Sequence, residues 1–130
     1  NKGYKISLYG SKVQAGFPSP ADDYVEGKLD LNEHLIKHPS ATFFVRATGE
    51  SMLKAGIHPD DILVVDRSIT PVNKKIVIAV IDGNLTVKRL KQTASKVFLM
   101  PENDDFLPID ITTKDNVTIW GVGTTVIHPV

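Results

Sequence analysis

From residue 41 onward the chain repeats one pattern: a short apolar, β-branched run, then a cluster of turn residues. The runs are Phe43–Val45, Ile62–Val65, Ile76–Ile81, Leu85–Leu90, Val97–Met100 and Val117–Trp120, with Thr124–Ile127 close behind. Runs of this length and composition predict strands, and their number predicts a mainly β domain, a compact twisted sheet or barrel-like fold. Asp82-Gly83-Asn84 lies between two of them. An Asp-Gly pair favours the left-handed backbone of a tight hairpin, so the Ile76–Ile81 and Leu85–Leu90 strands are expected to pair.

Before residue 30 the pattern breaks up. Gly3, Gly10, Gly16, Pro18, Pro20 and Gly27 interrupt any regular period, and only Ile6-Ser7-Leu8-Tyr9 suggests an extended piece. Residues 1–29 therefore read as an arm and residues 30–130 as the folded domain. Asp30 is placed to cap a short helix, with Glu33 at the reciprocal capping position, Leu31 and Leu35 on one face and Pro39 beyond its end. A second short helix is expected in Gly49-Glu50-Ser51-Met52-Leu53-Lys54-Ala55-Gly56, which reads as a glycine turn, one or two helical turns and a glycine stop.

Composition narrows the chemistry. The chain of 130 residues suits one core, and its 15 basic and 15 acidic residues cancel. Bulk charge thus gives no pull toward nucleic acid or anionic membrane. The absence of cysteine removes disulfides, thiol nucleophiles and cysteine zinc sites, and fits a reducing cytoplasm. No apolar run approaches the roughly 20 residues of a membrane-spanning helix. The first residues do not form a signal peptide, and because the chain opens on Asn1 rather than methionine, earlier residues are expected in the natural protein.

Ser51 and Lys88 are the most suggestive pair. A desolvated lysine can serve as the base for a serine nucleophile, the work histidine usually does. Each residue also has an ordinary account: serine at a helix start commonly acts only as a cap, and lysine on a strand is commonly solvated. Lys88 shares a strand face with Thr86 and Leu90, while Val87 and Arg89 occupy the other. Both faces are mixed, so alternation leaves open which one is buried. To act near neutrality, Lys88 must lose about 3 pH units from a reference near 10.4, roughly 4 kcal/mol of discrimination against its charged form. Free N–H groups at the turn suit an oxyanion, with the amides of Ser51 and Glu50 as candidates.

Other motifs carry less. Leu53 stands where the nucleophile elbow of α/β-hydrolases needs glycine, so Ser51 is not on such an elbow. His34 and His38 are one helical turn apart, but Leu35 replaces the glutamate that a zinc protease needs after the first histidine. A solvated helix face is the better account, and no metal or cofactor is expected. Asp22-Asp23, Asp60-Asp61 and Asp104-Asp105 read as solvated turn carboxylates. Gly121-Val122-Gly123 lacks the third glycine of a dinucleotide loop.

Several segments, taken together, carry a resemblance. They are Ala15-Gly16-Phe17-Pro18-Ser19-Pro20-Ala21, Leu29-Asp30-Leu31-Asn32, His38-Pro39-Ser40-Ala41-Thr42, Gly49-Glu50-Ser51-Met52, Asp61-Ile62-Leu63-Val64-Val65-Asp66, Ile76-Val77-Ile78-Ala79 and Thr86-Val87-Lys88-Arg89-Leu90. In this order and spacing the chain resembles the UmuD-type SOS mutagenesis proteins, relatives of the self-cleaving domain of the LexA repressor. The resemblance implies a LexA-type peptidase fold, a cytoplasmic homodimer, and a dyad in which Ser51 is nucleophile and Lys88 base. It implies a scissile bond between Ala15 and Gly16 and cleavage stimulated by a RecA–single-stranded DNA filament. It further implies assembly with a UmuC-type translesion polymerase, with replicative polymerase subunits as further partners, and no sequence-specific DNA binding of its own. Two other functions stay open: the regulatory domain of a LexA-like repressor, which needs an N-terminal helix-turn-helix for which the short arm leaves room only if this chain is a fragment, and a non-catalytic polymerase accessory module. Lys74-Lys75 departs from the family, which often has a Gly-Asp turn there.

Overall fold

A computed structural model describes residues 4–9 and 25–130. The chain divides into two units, residues 1–37 and 38–130. In the first, β1 (Lys5–Tyr9) pairs antiparallel with β2 (Val25–Asp30), Lys5 opposite Asp30 and Tyr9 opposite Val25. The stretch read as an arm thus includes all but the last residue of a second strand, Val25–Asp30, that its glycine hides. Asp30 caps α1 (Leu31–Leu35) as expected, its carboxylate accepting the Asn32 N–H at 2.9 Å. Residues 10–24, and with them Ala15 and Gly16, lie outside the described residues.

The second unit is a seven-stranded antiparallel sheet. Its strands are β3 (Thr42–Arg46), β4 (Ile62–Asp66), β5 (Ile76–Ile81), β6 (Asn84–Gln92), β7 (Val97–Met100), β8 (Ile109–Asp110) and β9 (Val117–Ile127). Across the sheet they run β3-β4-β9-β5-β6-β7-β8, so β3 and β8 are its edges. The mainly β expectation holds, as an open sheet rather than a closed barrel.

Both faces of the sheet are covered, which explains why β5 is apolar at every position. Ile78 joins a buried cluster with Ala47, Met52, Ile57, Leu63 and Val65. Val77 and Ala79, pointing the other way, join Leu90, Leu99 and Val122. The β5–β6 hairpin closes on Asp82 and Gly83 at φ 50° and 80°, the left-handed pair that the Asp-Gly sequence predicts.

One difference concerns β9, which is continuous where two strands are expected. Gly121-Val122-Gly123 lies inside the strand, beside register shifts against both β4 and β5. A Cβ on Gly121 would sit 2.6 Å from Val65 Cγ1, so this glycine admits a core side chain from the neighbouring strand. A glycine that reads as punctuation in sequence is here a packing device.

Candidate active site

Lys88 lies on β6 opposite Val77 and on the same face as buried Leu90, a rigid mount for its amine. The residue is only 8% exposed. Its Nζ stands 2.9 Å from Ser51 Oγ, 3.1 Å from Thr86 Oγ1 and 3.2 Å from the Val87 carbonyl. All three partners are neutral, so burial acts unopposed and pushes the Lys88 pKa below the usual lysine value. A charged Lys88 donates to all three oxygens. A neutral amine has two N–H groups and one lone pair. If Thr86 and Val87 accept the two hydrogens, the lone pair remains for the Ser51 hydroxyl proton.

Ser51 sits on a turn rather than at a helix start. Gly49 has φ 76°, and regular helical structure is confined to one 3-10 turn, Leu53–Ala55, ended by Gly56 in the left-handed region. Helical structure begins after Ser51, not at it, because the carbonyls of Glu50 and Ser51 take their short bonds from the segment after β7. The Glu50 carbonyl accepts Asn103 Nδ2 at 2.7 Å and only a long bond from the Leu53 N–H at 3.4 Å, and the Ser51 carbonyl accepts the Glu102 N–H at 2.7 Å. The Lys54 N–H returns to the Glu102 carbonyl at 2.8 Å. Ser51 is thus no helix cap, and the capping account of it falls away.

This strap after β7 also orients N–H groups. In a trans peptide the C=O and the following N–H point in opposite directions. Pinning the Glu50 carbonyl on Asn103 therefore turns the Ser51 N–H away from the strap. Among the described residues the N–H groups of Glu50 and Ser51 donate to no protein acceptor. They are available to an anion that forms beside Ser51.

A cleft of about 120 Å³ opens at the serine, lined among others by Val45, Ala47, Gly49, Leu85 and Val87. Unused strand edges flank it. β3 is an edge strand, and β7 pairs with β6 only over Arg89–Gln92. Among the described residues, Asn84–Lys88 therefore has a strand partner on one side alone. An extended peptide can add to such an edge with its backbone hydrogen bonds satisfied.

The sequence matches the peptidase S24-like family over residues 7–124. The chain belongs to that family. It is 48% identical to Protein ImpA of Escherichia coli over 129 residues, which covers 96% of this chain and 85% of ImpA. It is 46% identical to Protein MucA of Salmonella typhimurium over 131 residues, 98% of this chain and 88% of MucA. The LexA repressor of Acidithiobacillus ferrooxidans is 41% identical over 114 residues, 85% of this chain but 55% of the repressor. ImpA and MucA are UmuD-type SOS mutagenesis proteins, the group whose motifs the sequence carries. The S24 family is of the self-cleaving serine peptidase type.

Within this S24 unit the remaining candidates sort differently. His38 lies beyond the end of α1, so it does not form a helical pair with His34; its Nδ1 is 2.5 Å from Asp66 Oδ2. Asp61 is not solvated as its pairing with Asp60 suggests. It is 4% exposed and accepts the His58 N–H at 2.7 Å and His128 Nδ1 at 2.9 Å. Asp104 does face solvent, paired with Lys54 at 2.7 Å. Lys74 adopts φ 77° in the turn before β5, a conformation that its side chain tolerates poorly and that glycine would favour. Among the described residues, no helix is long and apolar enough to cross a membrane.

Thr86, Glu102 and Asn103 are the contributors that sequence reasoning misses. Thr86 is already placed on the Lys88 face by strand alternation, but nothing in sequence turns that neighbour into a ligand of the amine. Asn103 is 53 residues from Glu50 and reaches it only through the sheet.

Proposed function

We propose that the protein is a self-cleaving accessory of SOS mutagenesis whose Ser51–Lys88 dyad cuts its own arm between Ala15 and Gly16. One observation carries this reading: the Lys88 amine, buried and without an anionic hydrogen-bond partner, lies 2.9 Å from Ser51 Oγ. Neutral Lys88 takes the hydroxyl proton as Ser51 Oγ attacks the Ala15 carbonyl carbon. The Glu50 and Ser51 amides receive the oxyanion of the tetrahedral intermediate. Its collapse breaks the Ala15–Gly16 bond, and Lys88 passes its proton to the Gly16 nitrogen. Water then releases the Ala15 carboxylate from Ser51 by the same route in reverse. Small Ala15 and Gly16 suit a cleft of about 120 Å³ beside an open strand edge.

The shortened chain, as a homodimer, is the form that engages a UmuC-type polymerase. A RecA–single-stranded DNA filament accelerates the cut by favouring the conformer in which the bond lies in the cleft, and adds no catalytic group.

Incubation of purified protein at rising alkaline pH, followed by mass spectrometry, should yield a fragment ending at Ala15. Its rate of formation should climb with pH to a plateau whose midpoint lies below the usual lysine value. Ser51→Ala and Lys88→Ala should each reduce the rate by at least a hundredfold while circular dichroism remains unchanged. Wild-type cleavage by Lys88→Ala would sink the dyad. Mixing a Ser51→Ala chain, whose arm stays cleavable, with a Gly16→Pro chain, whose dyad stays intact but whose arm resists the cut, separates the two routes. Loss of the Ser51→Ala arm shows cleavage between subunits, and its survival shows cleavage within one.

A further inference from the structure

A second cluster of chemically capable side chains lies where β4 begins and β9 ends. Ile62 pairs with Ile127, which makes Asp61 and His128 the next residues outward on the two strands. His58 is returned to the same place by the turn His58-Pro59-Asp60-Asp61, in which the Asp61 N–H donates to the His58 carbonyl at 3.1 Å. Asp60 takes φ 72° in this turn, and its N–H donates to the Ala47 carbonyl at 2.9 Å. The frame is thus held by backbone bonds independent of the side chains it presents.

Those side chains converge. Asp61 Oδ2 lies 2.9 Å from His128 Nδ1 and 3.5 Å from His58 Nδ1, and the three donor atoms all lie within 4.8 Å of one another. Ligand atoms about 2.0–2.1 Å from a tetrahedral zinc ion stand roughly 3.3 Å apart. The two oxygen–nitrogen distances bracket that value. The imidazoles meet edge to face with centroids 5.3 Å apart, so both rings fit side by side. The carboxylate is 5% exposed, whereas the histidine side chains are 53% and 34% exposed. An ion can therefore enter from the histidine side and meet an anchored anion. The His58 N–H, donating to Oδ2 at 2.7 Å, orients that anion from behind.

We propose that His58, Asp61 and His128 form a binding site for a first-row divalent transition metal, with zinc the natural occupant by geometry. Two imidazole nitrogens and one carboxylate suit such ions, whereas calcium and magnesium require oxygen-rich shells. Three protein ligands leave a fourth position for water. The ion clamps the end of β9 to the turn before β4. That turn also carries Ile57, whose N–H donates to the Met52 carbonyl in the cluster beside Ser51. No metal is expected from the sequence, because His58 and His128 are 70 residues apart and no motif joins them.

The test uses the full chain carrying Ser51→Ala, so that binding is read without cleavage, after removal of metals by a chelator. Cobalt(II) should give a saturable visible absorption at one equivalent, and zinc should abolish it. His58→Ala and His128→Ala should each weaken cobalt binding at least tenfold, while His34→Ala and His38→Ala leave it unchanged. Both ligand variants change half-exposed side chains and keep Asp61, so the turn survives them, and circular dichroism checks this. No saturable absorption up to millimolar cobalt, or wild-type binding by both ligand variants, would overturn the site.

Discussion

Lys88 Nζ has three oxygen partners, and only one of them is the proposed nucleophile. The other two determine where the lone pair points when the amine is neutral. Thr86 is the one that mutation can remove without touching the backbone. Thr86→Val keeps shape and β-propensity but deletes the acceptor at 3.1 Å. A hydrogen bond is worth about 0.5–1.5 kcal/mol, so self-cleavage should slow roughly three- to tenfold. Because a lost acceptor also removes support for the charged amine, the pH midpoint of cleavage should move down, not up. An unchanged rate and midpoint would show that Thr86 merely fills space. Ser51 and Lys88 were legible at this scale as residue types, since few other side chains here can form a nucleophile and base. Burial of Lys88 was not legible, because its strand face carries Thr86 beside Leu90 and looks half polar.

At the scale of elements, strands marked by uninterrupted apolar runs were the most readable. Ile76–Ile81 and Val97–Met100 match their runs residue for residue. The pattern divides β9 in two because glycine usually ends a strand, whereas Gly121 sits there to receive Val65. After Gly49 the chain makes the single helical turn and glycine stop that its residues predict, but the turn starts at Leu53, beyond Ser51. Local residues favour an earlier start, but Glu102 and Asn103, contributed by a strap some 50 residues later, take the short bonds to the Ser51 and Glu50 carbonyls and leave Glu50 only a long bond from the Leu53 N–H. The strap therefore makes its own prediction. Asn103→Ala removes the shorter of the two bonds to the Glu50 carbonyl, leaves it the Leu53 N–H at 3.4 Å, and loosens the peptide that aims the Ser51 N–H. Cleavage should fall about tenfold, since oxyanion donors act through their fixed position, and the pH midpoint should stay at the wild-type value. A shifted midpoint with an unchanged plateau rate would mean that the strap acts on Lys88 and not on the oxyanion turn.

Across the whole molecule, the balance of 15 basic and 15 acidic residues hides a localised acid sensitivity. Asp66, at the end of β4, is almost fully buried. Its Oδ1 accepts the Ser68 hydroxyl at 2.6 Å and the Ser68 N–H at 2.8 Å, and its Oδ2 faces His38 Nδ1. Bonds from the Ser68 hydroxyl and then from His38 favour the carboxylate and lower its pKa from 3.8 to about 2. The sign follows from linkage: the folded state holds the proton less tightly than the unfolded chain does. The stabilisation is complete above the unfolded pKa near 4 and disappears as pH falls toward 2. General charge repulsion also grows in acid, as the carboxylates of the whole chain protonate and its cations remain. Ser68→Ala separates the two effects, because it removes the leading bond to Asp66 without changing net charge. Urea midpoints measured at pH 5 and at pH 2.5 should drop less in Ser68→Ala than in wild type, and the variant should be the weaker of the two at pH 5. Equal drops in both proteins would assign acid unfolding to bulk charge, and would leave Asp66 as one carboxylate among many.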